Sequence, residues 1–294
     1  MPAAIETFVA QNRNRLLAEL KEFLRIPSIS TLPEHRPDVK QAASFVAKSL
    51  SMAGLENVEV IPTEGHPLVY ADWLNAPGKP VVLCYGHYDV QPADPLELWT
   101  SPPFEPTERG GNLYARGTAD DKGQMYMHIK SVEALRSLRG SLPLNLKFLI
   151  EGEQEIGGAS IRIRRYVAVD AEKLRADVAL VSDTAMYAAG LPTLCIGLRG
   201  LIYAEVEATG PHRDLHSGLY GGAAPNAVYG LVELLSQAKD AKGVIKIPGI
   251  YDGVEEPAPA ELASWRQLPF HEEHFLASEV ASTELTGEPG RTVL

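Results

Sequence analysis

Apolar residues in the first segment recur at Phe8, Val9, Leu16, Leu17, Leu20, Phe23 and Leu24, a spacing that predicts a helix over residues 5–24. Pro27 then closes it, because a proline disfavours helix in the residue before it. A second helix is expected over residues 37–53, ending at Gly54. Residues 58–61 and 68–73 read as short strands. The apolar run 81–85 has the length of a strand buried on both faces, and residues 144–150 and 178–181 read as further buried strands. Between them, residues 91–112 hold five prolines and read as a loop, and residues 122–138 read as a helix. Strands alternating with helices predict an α/β fold with a mostly parallel sheet sandwiched by helices.

The pattern changes after Gly200. Residues 201–208 alternate, with Ile202, Ala204, Val206 and Ala208 on one face, as in a half-buried strand of an antiparallel sheet. A helix over residues 223–238 follows. The boundary is expected near residues 197–200, giving a catalytic domain over 1–198 and the start of an α+β lid or dimerisation domain over 199–294. Beyond Pro248 the chain is rich in proline and glutamate and its pattern is weak.

Composition narrows the function classes. With 45% hydrophobic and 22% charged residues, the 294-residue chain has the make-up of a globular protein. Its net charge of -11 argues against nucleic acid and anionic membrane as partners. No apolar run approaches the about 20 residues of a membrane span. The only two cysteines, Cys84 and Cys195, sit in apolar runs and read as buried thiols, not a disulfide framework. With no leader pattern at the N-terminus, a cytoplasmic location is expected.

Polar clusters stand where the predicted strands end, the edge at which open α/β sheets bind ligands. Gly86-His87-Tyr88-Asp89 follows the first buried run, Glu151 to Glu155 the second, and Ser182-Asp183-Thr184 the third. Asp120-Asp121-Lys122-Gly123 opens a helix. Each cluster alone is ambiguous. His87 could be structural, Asp183 a turn residue, and Asp120 with Asp121 an ordinary helix start. Together they differ, because carboxylates converging on one edge repel unless cations hold them. Mixed imidazole and carboxylate ligands suit zinc, with manganese or cobalt as alternatives.

These residues carry a family resemblance. Gly86-His87-Tyr88-Asp89-Val90-Gln91-Pro92 resembles the first metal motif of the dizinc metallopeptidases that include carnosine dipeptidase, acetylornithine deacetylase, aminoacylase and carboxypeptidase G. Residues 116–123 resemble its bridging-ligand motif, Glu151-Gly152-Glu153-Gln154-Glu155 its acidic motif, and Leu215-His216-Ser217-Gly218 its lid histidine motif. Trp99-Thr100-Ser101-Pro102-Pro103-Phe104 points to the carnosinase-like dipeptidase branch. The match runs over residues 25–253 in the family's order.

The resemblance implies two divalent metal ions and hydrolysis of amide bonds in dipeptides or small peptides. It assigns His87 and Asp183 to one ion, Glu155 to the other and Asp120 to both, with a cis peptide often following this last residue. Asp89 would hydrogen-bond the second ring nitrogen of His87, and His216 would serve the oxyanion of a partner subunit's reaction in a homodimer formed through the lid. Two departures follow. Gln154 stands where the family has its general base, a glutamate, and an amide cannot accept and return a proton at neutral pH. The chain is therefore expected to bind metal but to be nearly inactive, and substrate binding stays open. A non-catalytic binding or scaffold relative and an N-acyl amino acid deacylase are the alternatives. The family chain also returns from the lid with one more histidine ligand. His271 and His274 lie in a glutamate-rich segment and are not assigned that role, so an N-terminal portion is expected, with the rest on a second polypeptide or absent. Among other residues, Arg199 reads as a hinge residue with substrate contact the alternative, Asn226 as a helix cap, and Trp73, Trp99 and Trp265 as packing or loop anchors.

Overall fold

The computed structural model describes residues 2–157, 161–198, 200–285 and 287–288. Arg199 lies outside them. The chain divides into two compact units, Met1–Gly197 and Leu198–Leu294.

In the first unit the elements run α1 (Pro2–Leu24), α2 (Arg36–Met52), β1 (Glu56–Ile61), β2 (Leu68–Trp73), β3 (Val81–His87), β4 (Thr107–Arg109), β5 (Asn112–Tyr114), α3 (Lys122–Arg139), β6 (Asn145–Glu151), α4 (Ile161–Val169), α5 (Ala171–Leu174) and β7 (Val178–Val181). The main sheet has the order β1-β2-β6-β3-β7. β6, β3 and β7 are mutually parallel, β2 runs against β6, and β1 runs against β2. Four strands thus share one direction, which makes the sheet mostly parallel as the apolar runs predict.

Side-chain alternation along the strands feeds two cores. Val69, Ala71 and Trp73 of β2, Cys84 of β3 and Phe148 and Ile150 of β6 face α1, α2 and α3, where Phe23, Val46, Met125 and Ile129 meet them. Leu68 and Tyr70 of β2 and Leu149 of β6 form the other face with Leu174, against Ile163 and Tyr166 of α4. The charged Lys147 within β6 is explained by its contacts. Its ammonium donates to the main-chain oxygens of Lys173 and Arg175, at 2.6 and 2.7 Å, and so caps the end of α5.

The loop expected over residues 91–112 is interrupted. β4 and β5 form a small hairpin across Gly110-Gly111, both at positive φ (56° and 85°), the backbone that a two-residue primed turn demands. Gly-Gly between short runs was the available signal.

Gly152, directly after β6, has no room for a side chain, since a Cβ there would overlap the buried ring of Tyr88. Overpacking of this kind costs about 1–3 kcal/mol. Gly152→Ala is therefore expected to lower the free energy of unfolding by that amount, read as a lower midpoint of denaturant unfolding at unchanged slope. An unchanged midpoint would show that this contact is slack.

The second unit carries α6 (Ser217–Tyr220), α7 (Ala227–Ser236), α8 (Pro259–Trp265) and α9 (Glu272–His274). Asn226 caps α7 as its sequence position suggests, its side-chain oxygen accepting from Val228 N at 2.9 Å and Tyr229 N at 3.4 Å. That cap, after Pro225, starts the helix later than the expected residue 223. The strand expected over residues 201–208 is not formed. A strand needs a partner ladder, and none among the described residues pairs with this segment, so Ile202 and Val206 stay exposed.

Cys84 is buried, and burial pushes its thiol up to about 12. Cys195 corrects the expectation for its run. It is exposed, as are Leu194 and Ile196 beside it, because nothing described packs on that segment. No helix among the described residues is long and apolar enough to cross a membrane.

Candidate metal centre

His87 is the last residue of β3 and lies in register beside Glu151, the last residue of β6. β7 ends two residues before Asp183, and Glu155 lies in a 3-10 turn, Gln154–Ile156, that follows β6. Asp120 immediately precedes Asp121, the N-cap of α3, and the peptide between them is cis. The sheet and the start of α3 therefore deliver four donors to one edge.

His87, Asp120 and Glu155 each offer a ligand atom within 4.8 Å of one another. His87 Nε2 stands 3.2 Å from Asp120 Oδ1 and 3.7 Å from Asp183 Oδ2, yet it is buried and makes no hydrogen bond. Two ligands each about 2.1 Å from a tetrahedral zinc ion stand about 3.4 Å apart. Both separations bracket that value, so an orphaned imidazole nitrogen and its acidic neighbours suit a shared cation. Asp120 is 60% exposed at its side chain and His87 is fully buried, so the donors line an open edge over a closed floor.

The imidazole is oriented from its other side. Nδ1 lies 3.1 Å from the main-chain oxygen of Asp89 and 3.3 Å from Asp89 Oδ1. Acceptors there place the ring hydrogen on Nδ1 and leave the lone pair on Nε2. The Asp89 carboxylate also reaches the acidic turn. Its Oδ1 accepts from Gln154 N at 3.3 Å and its Oδ2 from Glu155 N at 3.0 Å. One buried carboxylate thus joins the histidine loop to the turn that carries Gln154 and Glu155.

Two residues that sequence reasoning passed over also support the site. Asp121 is 1% exposed, and its Oδ2 accepts from the His87 amide at 3.0 Å. A Cβ at Gly86 would meet that same oxygen at 2.8 Å, which accounts for glycine before the histidine. Gln91 Nε2 donates to Glu155 Oε2 at 2.6 Å. The paired acids at 120–121 and the amide within the first motif were the signals available for them.

The local field is strongly negative. Burial works to lower the pKa of His87, but the hydrogen bond and charge of Asp89, with Asp121 and Asp183 behind, raise it to about 9. Burial pushes Asp121 up to about 7 against the pull of the His87 amide and charge. Glu155 and Asp183 are also raised, first by burial and then by the charge of Asp120. A divalent cation answers the same demand as a proton on His87.

His216 belongs to the second unit, where it is exposed and caps α6, its Nδ1 accepting from Gly218 N at 3.0 Å. His271 is the N-cap of α9 and His274 its last residue, and no strand is assigned among the described residues of that unit.

Comparisons with known proteins cover the stretch that carries these residues. A family model described as peptidase family M20/M25/M40 matches residues 83–285. The chain is 31% identical over 297 residues to the Cys-Gly metallodipeptidase dug1 of Schizosaccharomyces pombe, covering 97% of this chain and 62% of that protein. It is 31% identical over 293 residues to the Beta-Ala-His dipeptidase of Homo sapiens, covering 93% and 57%. A solved metallo-carboxypeptidase, Sso-CP2 from Sulfolobus solfataricus, is 30% identical with a TM-score of 0.75, over 92% of this chain and 60% of that one. The chain spans about 60% of the length of the relatives it matches.

Proposed function

Because the chain belongs to peptidase family M20/M25/M40, we propose that it binds two divalent metal ions and is built to hydrolyse the amide bond of a dipeptide or other small peptide. The observation that carries this reading is His87 Nε2, buried without a hydrogen bond and facing Asp120 and Asp183. His87 and Asp183 would hold one ion, Glu155 the other, and Asp120 both. Zinc suits this donor set, with manganese or cobalt as alternatives. Bound there, the ions would acidify a water and polarise the scissile carbonyl.

The chain's own residues do the rest. Asp89 fixes the His87 ring and the Gln154–Glu155 amides at once. Gln154 occupies the place of the general base, and its carboxamide can orient a water or substrate but cannot take a proton from it. Turnover is therefore low in this sequence, while the ligands are intact. His216 accepts from Gly218 N through Nδ1, so its neutral ring carries hydrogen on Nε2, a donor fit for a tetrahedral oxyanion. We assign that donor to the reaction of a partner subunit. Val228, Tyr229, Val232 and Leu235 of α7 are exposed, and a second copy of the chain is the partner we assign to that face. Unpaired Cys84 and Cys195 support a reducing, cytoplasmic setting.

Gln154 also favours a second reading, a binding relative that keeps the fold without the chemistry. The names of the relatives favour dipeptides over N-acyl amino acids as the substrate class. Metal-loaded Gln154→Glu, offered a dipeptide and the N-acyl derivative of the same amino acid, separates these readings. Cleavage of the dipeptide is expected. Preference for the N-acyl compound would replace the substrate class, and no cleavage of either, with the remaining length of the family chain also supplied, would leave the binding reading.

A further inference from the structure

Gln91 lies in the loop after β3, between two anchored neighbours. Val90 is buried, its amide donates to Ser28 O at 3.0 Å, and it forms a parallel bridge with Ile29. Pro92 O accepts from Arg116 Nη2 at 2.8 Å. The Gln91 backbone is thus held while its side chain reaches across 64 positions of sequence to the acidic turn. There Nε2 donates to Glu155 Oε2 at 2.6 Å and lies 3.4 Å from the Glu155 main-chain oxygen. Glu155 is therefore gripped at both ends, its amide by Asp89 Oδ2 at 3.0 Å and its carboxylate by Gln91.

We propose that Gln91 is a positioning residue for Glu155, occupying Oε2 so that Oε1 is the single oxygen presented to one of the two metal ions. The inference rests on the reading of Glu155 as a metal ligand. A neutral donor is the group required here. It fixes a carboxylate rotamer without adding charge to a site already crowded with acids, and a ligand held this way loses little freedom on binding. A carboxylate at position 91 would instead repel Glu155. Because Gln91 is exposed and touches neither core, its removal leaves the fold in place.

The test is calorimetric titration of the metal-free full chain with Zn²⁺, for the unsubstituted protein, Gln91→Ala and Gln91→Glu, with the thermal midpoint of each metal-free form recorded. In Gln91→Ala one of two binding events is expected to weaken by about 10–100-fold, the scale of outer partners of metal ligands, while the other holds. Gln91→Glu is expected to weaken the same event at least as much. The visible absorption of the Co²⁺ forms should change with it, since it reports the geometry around one ion. Equal weakening of both events together with a lower thermal midpoint would mark a structural residue and overturn the proposal, as would unchanged affinities. Failure of the unsubstituted chain to bind two ions would overturn the metal reading itself, and this inference with it.

Discussion

Gln154→Glu is expected to raise the rate of dipeptide hydrolysis by the metal-loaded protein by roughly two to four orders of magnitude, the usual worth of a positioned general base. The backbone at this position is already set. Gln154 N donates to Asp89 Oδ1 at 3.3 Å, within the short turn that carries Glu155, the proposed ligand. Glutamate has nearly the same shape as glutamine, so the substitution changes proton affinity and charge while leaving packing alone. Metal content should stay the same in both forms. The separation of binding from turnover is the point of the comparison. Equal rates for the two forms would mean that another group moves the proton, or that position 154 has no part in the reaction.

Asp120→Asn is expected to have the larger effect on binding. An amide keeps the side-chain outline but removes the negative charge, and Asp120 is the one residue assigned to both ions. The loss in affinity should exceed the about 10–100-fold that partners outside the ligand set are worth, and it should fall on both ions. The Asp120 side chain is 60% exposed, so the fold does not depend on it, and the thermal midpoint of the metal-free form should hold. Titration calorimetry on the two forms reads this directly. Two ions bound at nearly the original affinity would remove Asp120 from the ligand set.

Much of this architecture was legible because burial on both faces leaves short segments dominated by apolar residues. β2 is buried at every position and β6 likewise, and both were visible as strands. The order of the sheet was not, since nothing local in residues 68–73 says that β2 runs against β6. α4 escaped notice because four arginine and tyrosine side chains dilute a pattern in which Ile163 and Tyr166 alone reach the second core. Residues 201–208 show the reverse error. Strict alternation announced a strand, but alternation is only a capacity for pairing, and no described segment supplies the partner.

At the proposed site, His87, Asp120, Glu155 and Asp183 stood out because each follows a strand end or opens a helix, and the family resemblance of their motifs assigned them as ligands. Their supports could not be found in the same way. Asp89 looked like a partner for His87 alone, and only the folded chain turns its carboxylate to the amides of Gln154 and Glu155. Asp121 and Gln91 act through single hydrogen bonds between distant loops, which leave no periodicity to read. The proposed ligands are thus carried by motif, and the geometry that holds them by tertiary contact.

The central claim is that these four side chains hold two metal ions around Asp120. The most direct measurement is a crystal structure of the zinc-soaked protein with anomalous scattering recorded at the zinc edge. Two peaks are predicted, both about 2.0–2.2 Å from Asp120 oxygens, one also bound by His87 Nε2 and Asp183 and the other by Glu155. A structure with no peak against Asp120, or with a single ion that ignores Glu155, would contradict the account.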